Sequence, residues 1–268
     1  MPLSRESRRI GWIVLVLLAV AAAGCDIVVS SMENGRVKAT EQWTKEFSVS
    51  GQDVRFEVAN INGRIEISAA DEDTIGVTAQ ISARGVTDEA ANETLKSVEI
   101  VELVDASRVR LETRYPRERR NQGIVVEYLV TVPRRAGVRV DNVNGEIVLV
   151  GIGGGVNADT TNGAIKAKDL GSSVKASVTN GGIDIRMKDL GQSGVSLETT
   201  NGSIKLWLPE QAKATLAARV VNGSIRIADL PFEKSGPSSR RRLSGQINGG
   251  GPELRLETVN GGITVGRS

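Results

Sequence analysis

The chain of 268 residues contains no histidine and a single cysteine. Without histidine it lacks the side chain whose charge changes near neutral pH, which removes any Ser-His-Asp triad and the commonest metal ligand. One cysteine excludes an internal disulfide, so an oxidising compartment is tolerated without being exploited. Aromatic residues are only 3% of the chain, against 30 glycines. A compact globular core of this size normally takes much of its volume from Phe, Tyr and Trp. A narrow core a few side chains across has no such need.

Long apolar runs are scarce too. The one clear example, residues 10–23, is too short to span a bilayer comfortably. It follows Arg5, Arg8 and Arg9 and ends in Ala22-Ala23-Gly24-Cys25. A positive stretch, an apolar run and small residues make an export signal, which assigns residues 1–25 to processing. Its removal takes three Arg and one Glu from totals of 34 basic and 32 acidic side chains, leaving 31 of each. The processed chain is therefore formally neutral, and nothing in its overall charge argues for nucleic acid as a partner.

What the sequence has in abundance is Asn-Gly within one framework, aliphatic–x–aliphatic–x–Asn–Gly–x–Ile. It occurs at Asn144, Asn162, Asn180, Asn201, Asn222 and Asn260, with an early copy at Asn62 and a degenerate one at Asn248. From Asn144 the spacings are 18, 18, 21, 21, 26 and 12 residues. A period near twenty marks stacked units that bury their apolar faces only against one another. Alternating apolar positions such as Val174, Ala176 and Val178 precede the Asn-Gly units, and an isoleucine falls three residues past each Asn except the degenerate Asn248. This alternation predicts half-buried strands on both sides of a bend.

Two all-β architectures fit. In an antiparallel meander each Asn-Gly is a hairpin turn. In a single-stranded parallel β-helix, or solenoid, with coils of 18–21 residues, each is a corner. A meander gives no reason for Asn, Gly and Ile to recur at equivalent places. A solenoid does: inward-facing Asn amides can form a ladder from coil to coil, and Gly allows the positive φ of the corner. The solenoid is the preferred reading.

Residues 26–45 read as a tether and lead-in strand, and 46–268 as the solenoid. Within it, 47–135 are irregular N-terminal coils interrupted by a helix over Thr87–Lys96, and 136–268 are regular repeats. Val98–Thr113 reads as one long strand, residues 231–246 as a solvated loop rich in Pro, Ser and Arg, and the final strand pair as a cap.

No catalytic residue, metal site or cofactor is expected. Asp169, Asp189 and Asp229 recur at a second bend, where Asp is a favourable turn residue. Gly151–Gly155 lacks the spacing of a phosphate-binding loop and reads as a glycine-rich corner. A carboxylate pair for glycoside cleavage is the surviving enzyme alternative, that of a carbohydrate-active β-helix. On the outward positions after each corner lie Lys166, Lys168, Arg186, Lys188, Lys205 and Arg226, with Asp184 among them. If coils stack in chain order these form a basic stripe suited to an anionic polymer or headgroup layer.

The Asn-Gly-x-Ile units, the preceding Val130-Thr131-Val132-Pro133 strand and the Ala-Ala-Gly-Cys sequence together resemble bacterial envelope proteins of the putative-adhesin family, related to Lia-type envelope-stress proteins. The resemblance covers about residues 45–268. It implies a β-solenoid fold and an exported protein held in the cell envelope, and it carries over no catalytic residue. Ala22–Cys25 resembles the lipobox of bacterial lipoproteins, which implies lipid attachment at Cys25 and a membrane as one partner. An envelope polymer or another envelope protein would be the second.

Overall fold

The computed structural model describes residues 29–33, 36–116, 123–190, 192, 194–236 and 238–268. Cys25 and the signal segment lie outside the described residues. The chain winds as flattened coils, each giving one strand to each of two facing 11-stranded sheets. Strands before the Asn-Gly corners enter sheet 1 and those after them enter sheet 2. The architecture is therefore a two-sheeted parallel β-solenoid.

Seven strand pairs follow this plan. They are β3 (Arg55–Asn62) with β4 (Ile65–Ala70), β9 (Gly137–Asn144) with β10 (Ile147–Val150), and β11 (Val156–Asn162) with β12 (Ile165–Leu170). Next come β13 (Val174–Asn180) with β14 (Ile183–Met187) and β15 (Val195–Asn201) with β16 (Ile204–Leu208). The last two in the chain are β17 (Ala214–Asn222) with β18 (Ile225–Ala228) and β21 (Glu253–Asn260) with β22 (Ile263–Arg267). Period-two alternation makes this possible: β13 runs buried–exposed–buried, with Val174, Ala176 and Val178 inward. In sheet 2, Ile65, Ile147, Ile165, Ile183, Ile204, Ile263 and Ile225 stand in register, and all but Ile225 are at most 1% exposed. Columns of one residue type pack the narrow core without aromatic bulk.

The order of coils in space departs from their order in the chain. β21 and β22 do not cap the stack. They lie between the β15/β16 coil and the β17/β18 coil, pairing in parallel with both. The other end has the same exchange. Here β7 (Arg108–Arg114) and β8 (Val125–Pro133) stack outside β3 and β4, which precede them in sequence.

Antiparallel strands finish the stack at the N-terminal end. Sheet 2 continues from β8 to β5 (Thr74–Gly85), then β2 (Arg36–Ser48) and β1 (Val29–Glu33). Residues 36–45, expected within a tether and lead-in strand, thus belong to one 13-residue strand. Sheet 1 ends in β6 (Glu99–Val104), antiparallel to β7. The segment expected as one strand from Val98 to Thr113 is instead a hairpin, because Asp105 turns the chain: its Oδ1 accepts from the Ser107 N–H at 2.9 Å. Helix α1 (Asp88–Lys96) begins at Thr87, whose Oγ1 accepts from the Ala90 N–H at 3.2 Å. It buries Ala91, Thr94 and Leu95 and packs on β5 and β2.

At the opposite end, β19 (Phe232–Lys234) and β20 (Arg242–Ile247) form a hairpin that adds antiparallel to β17. The two ends of the segment 231–246, expected as a solvated loop, are thus strands of sheet 1, while the described residues between them, 235–236 and 238–241, are exposed. Leu243 and Ile247 are buried, and that apolar content holds it down despite the Pro, Ser and Arg around it.

Candidate functional site

The corners form one continuous column. Asn144 Nδ2 donates to Asn62 Oδ1 at 2.7 Å, Asn162 to Asn144 at 2.8 Å, Asn180 to Asn162 at 2.9 Å and Asn201 to Asn180 at 2.9 Å. The column then follows the spatial order: Asn260 donates to Asn201 and Asn222 to Asn260, each at 2.8 Å. These amides face outward, contrary to the inward orientation expected from strand parity. Asn162, Asn180, Asn201, Asn222 and Asn260 are exposed and Asn144 is half-buried. The chain has already begun to turn at the Asn, so strand parity no longer applies there.

The buried polar position lies two residues earlier. Asn142 Nδ2 donates to the Gly63 carbonyl at 3.0 Å, Thr199 Oγ1 to the Gly181 carbonyl at 2.9 Å and Thr258 Oγ1 to the Gly202 carbonyl at 3.0 Å. This inner set escaped the sequence reading because valine occupies the same place at Val178 and Val220. The glycines explain themselves by proximity. A Cβ on Gly181 would sit 1.9 Å from the Gly163 carbonyl oxygen, and one on Gly202 would sit 1.9 Å from that of Gly181. Gly181 also has φ +149°, in the region costly for other residues. At the second bend, Asp169 and Asp229 adopt left-handed φ of 58° and 55°.

The outer face of sheet 2 carries the basic residues, all six of them exposed. Register separates them into columns. One runs Val148, Lys166, Asp184, Lys205, Thr264, Arg226, so Thr264 separates the two cations expected to be in consecutive coils. Arg186 is in register with Trp207, and its guanidinium lies 5.7 Å from the indole centroid. Asp184 accepts from Trp207 Nε1 at 3.0 Å, and Lys166 is ion-paired with Glu146. The array is therefore one basic face interrupted by an acid and a threonine, not an unbroken stripe. Lys188 follows the end of β14, in the bend, and is exposed.

The outer face of sheet 1 carries one mainly basic column, with Glu57 its one acid, beside a mainly acidic one. Arg110, Glu57, Arg139, Asn157, Lys175, Ser196 and Arg255 occupy one column. Glu112, Ala59, Asp141, Asp159, Ser177, Glu198 and Glu257 occupy the next. A shallow depression lies between Glu57, Arg108, Arg110, Arg139 and Asp141. Its carboxylates are already engaged: Arg108 holds Glu57 at 2.8 Å, and Arg139 grips Asp141 through two bonds of 2.9 and 3.1 Å. Asp159 has its pKa raised by partial burial first and by the neighbouring Asp141 charge second. A raised acid pKa means that ionisation opposes folding, a penalty felt as pH rises through the folded-state value. Asp159→Asn should therefore raise the melting temperature at neutral pH, with the gain vanishing well below the carboxylate range. A melting temperature lowered at pH 7 would refute this account.

Residues 138–266 match the family described as Toastrack DUF4097. No curated protein matches the chain. The fold is similar to that of a putative cell adhesion protein from Clostridium sporogenes, with a TM-score of 0.51 and 15% identity over 85% of this chain and 100% of that one. A putative adhesin from Bacteroides fragilis aligns over 84% of this chain and 96% of its own, at 12% identity and a TM-score of 0.34. The first likeness bears on fold; the second is too low to carry an argument.

Proposed function

We propose that the protein is a lipid-anchored, non-enzymatic scaffold of the bacterial cell envelope, tethered through Cys25, whose sheet 2 face contacts an anionic envelope polymer. The observation that carries this reading is the fixed array of exposed cations on that face. Lys166, Lys205 and Arg226 share one register column, and Arg186 stands in the column beside it. Repeating strands hold such charges at intervals near 4.8 Å or its multiples, so an extended polyanion meets a preorganised partner instead of flexible arms. The envelope setting rests on the signal-like N-terminus, on the resemblance to envelope proteins including the Lia-type group, and on the cell-adhesion name of the Clostridium sporogenes protein of similar fold.

Two experiments test its parts. Labelled fatty acid should enter the wild-type protein in bacterial cells, and Cys25→Ser should abolish labelling and leave the signal uncleaved. Normal processing of that variant to a soluble product would refute the anchor. For the face, a fourfold Lys166→Gln, Arg186→Gln, Lys205→Gln, Arg226→Gln variant should melt close to wild type, because exposed charges contribute only roughly 0–1 kcal/mol each. Its binding to polygalacturonate should weaken, and added salt should weaken wild-type binding in the same way. Equal binding by both proteins at low salt would remove the face from the function.

A further inference from the structure

Each corner donates two backbone hydrogen bonds to the next coil. Gly181 N–H reaches the Asn201 carbonyl at 2.9 Å and Ile183 N–H reaches Ser203 at 3.0 Å. Gly202 and Ile204 repeat this onto Asn260 and Gly262, and Gly261 and Ile263 onto Asn222 and Ser224. At the outermost coil the series stops. Gly223 N–H, Ile225 N–H and Asn222 Oδ1 have no partner among the described residues, although the equivalent atoms of the regular coils beneath are all satisfied.

This end of sheet 2 is finished differently from the other three sheet ends. Those terminate in antiparallel strands, β1 and β6 at one end of the stack and β19 at the other. Among the described residues, sheet 2 ends on β18, a parallel rung with one side unpaired. The apolar interior reaches the surface beneath it. Ile225 and Ile227 are half-buried, whereas the isoleucine equivalent to Ile225 in the adjacent coil, Ile263, is 1% exposed. Solenoid ends normally require a polar cap over such a core, and an open strand edge is a template for a further strand.

Charge identifies the occupant. Arg242 is in register with Arg219, and the Arg241 carbonyl accepts from the Val220 N–H at 2.9 Å, two residues before the corner Asn. Arg226 lies on β18 itself. Arg226, Arg240 and Arg241 are all exposed, and none forms an ion pair among the described residues. We infer that the open β18 edge is a docking site for an extended acidic segment of another polypeptide, added parallel to β18. Its carbonyls would accept from Gly223 and Ile225, its apolar side chains would cover Ile225 and Ile227, and its carboxylates would meet the arginines. This is strand addition, in which main-chain bonds supply affinity and side chains supply selection. It shares Arg226 with the polymer-binding face and otherwise uses different residues.

The test uses a labelled decapeptide alternating Glu with Val, and the same peptide N-methylated at alternate residues so that it cannot extend a sheet. The plain peptide should bind the full chain and slow hydrogen exchange at Gly223 and Ile225. Methylation should cost at least about tenfold in affinity, equivalent to ~1.4 kcal/mol. Ile227→Lys and a double Arg240→Gln, Arg241→Gln variant should each lose a similar factor while keeping the wild-type circular dichroism spectrum. Lys166→Gln with Lys205→Gln should bind as wild type. Equal binding of methylated and plain peptides would reduce the site to charge attraction and overturn strand addition. Undetectable binding of the plain peptide at millimolar concentration would overturn the site altogether.

Discussion

Truncation after Pro252 should unfold the coil of β17 and β18 instead of trimming the tip of the solenoid. The deleted segment contains β21 and β22, which lie inside the stack, so the β17/β18 coil loses the only parallel coil it rests on. Leu254, Leu256, Ile263 and Val265 are all at most 1% exposed. Removing four buried aliphatic side chains at ~1.5–3 kcal/mol each costs on the order of 6–12 kcal/mol. That is comparable with the whole stability of an ordinary domain, about 5–15 kcal/mol. Hydrogen exchange should show protection lost across residues 214–228 as well as a large fall in melting temperature. Wild-type melting with residues 214–228 still protected would mean that this coil does not depend on the final one.

Valine at Gly181 should be nearly as damaging. The nearest atom to its Cβ would be the Gly163 carbonyl oxygen, 1.9 Å away. Ordinary contact would require that whole coil to move by more than an ångström, and a hydrogen-bonded main-chain carbonyl cannot swing aside as a flexible side chain does. The cost should sit at or above the upper end of the ~1–3 kcal/mol typical of overpacking. Gly202 separates the two reasons for glycine, since its φ is not positive while its Cβ would also lie 1.9 Å from a carbonyl oxygen. Gly202→Ala should therefore destabilise strongly in urea titrations. Gly137→Ala, with 3.6 Å to the nearest atom, should stay close to wild type. A mild Gly202→Ala would place the requirement in the backbone angle instead of the close approach.

The unit of this fold was legible because Asn, Gly and Ile each sit where only one structural role fits. A parallel stack explains identical residues at identical places, and a meander does not. The direction of the Asn side chains was misread because alternation was carried one residue into a bend. The order of coils was not legible at all. The units around Asn201, Asn222 and Asn260 carry interchangeable surfaces, so any of them can lie against any other, and connection length alone does not fix the neighbour. The same exchange placed Thr264 between Lys205 and Arg226. The hairpin at 231–247 was obscured because its few apolar residues, among them Phe232 and Leu243, are diluted by Pro, Ser and Arg.

The exchanged coils also impose a timetable. A chain made from its N-terminus can lay β9 through β16 one coil upon the last, each closing a loop of about twenty residues. The next coil to appear, β17/β18, finds its place on the stack occupied by nothing yet synthesised. Its ladder bond waits for Asn260, 38 residues later, which must itself reach back 59 residues to Asn201. Zippering therefore pauses, and residues 253–268 act as a keystone that is made after the coil it supports and is nevertheless structurally internal. Because distant pairings slow folding, the C-terminal end should mature as a separate, slower phase. A chain interrupted before Glu253 would carry an unclosed end, distinguishable from the finished protein by its exposed core.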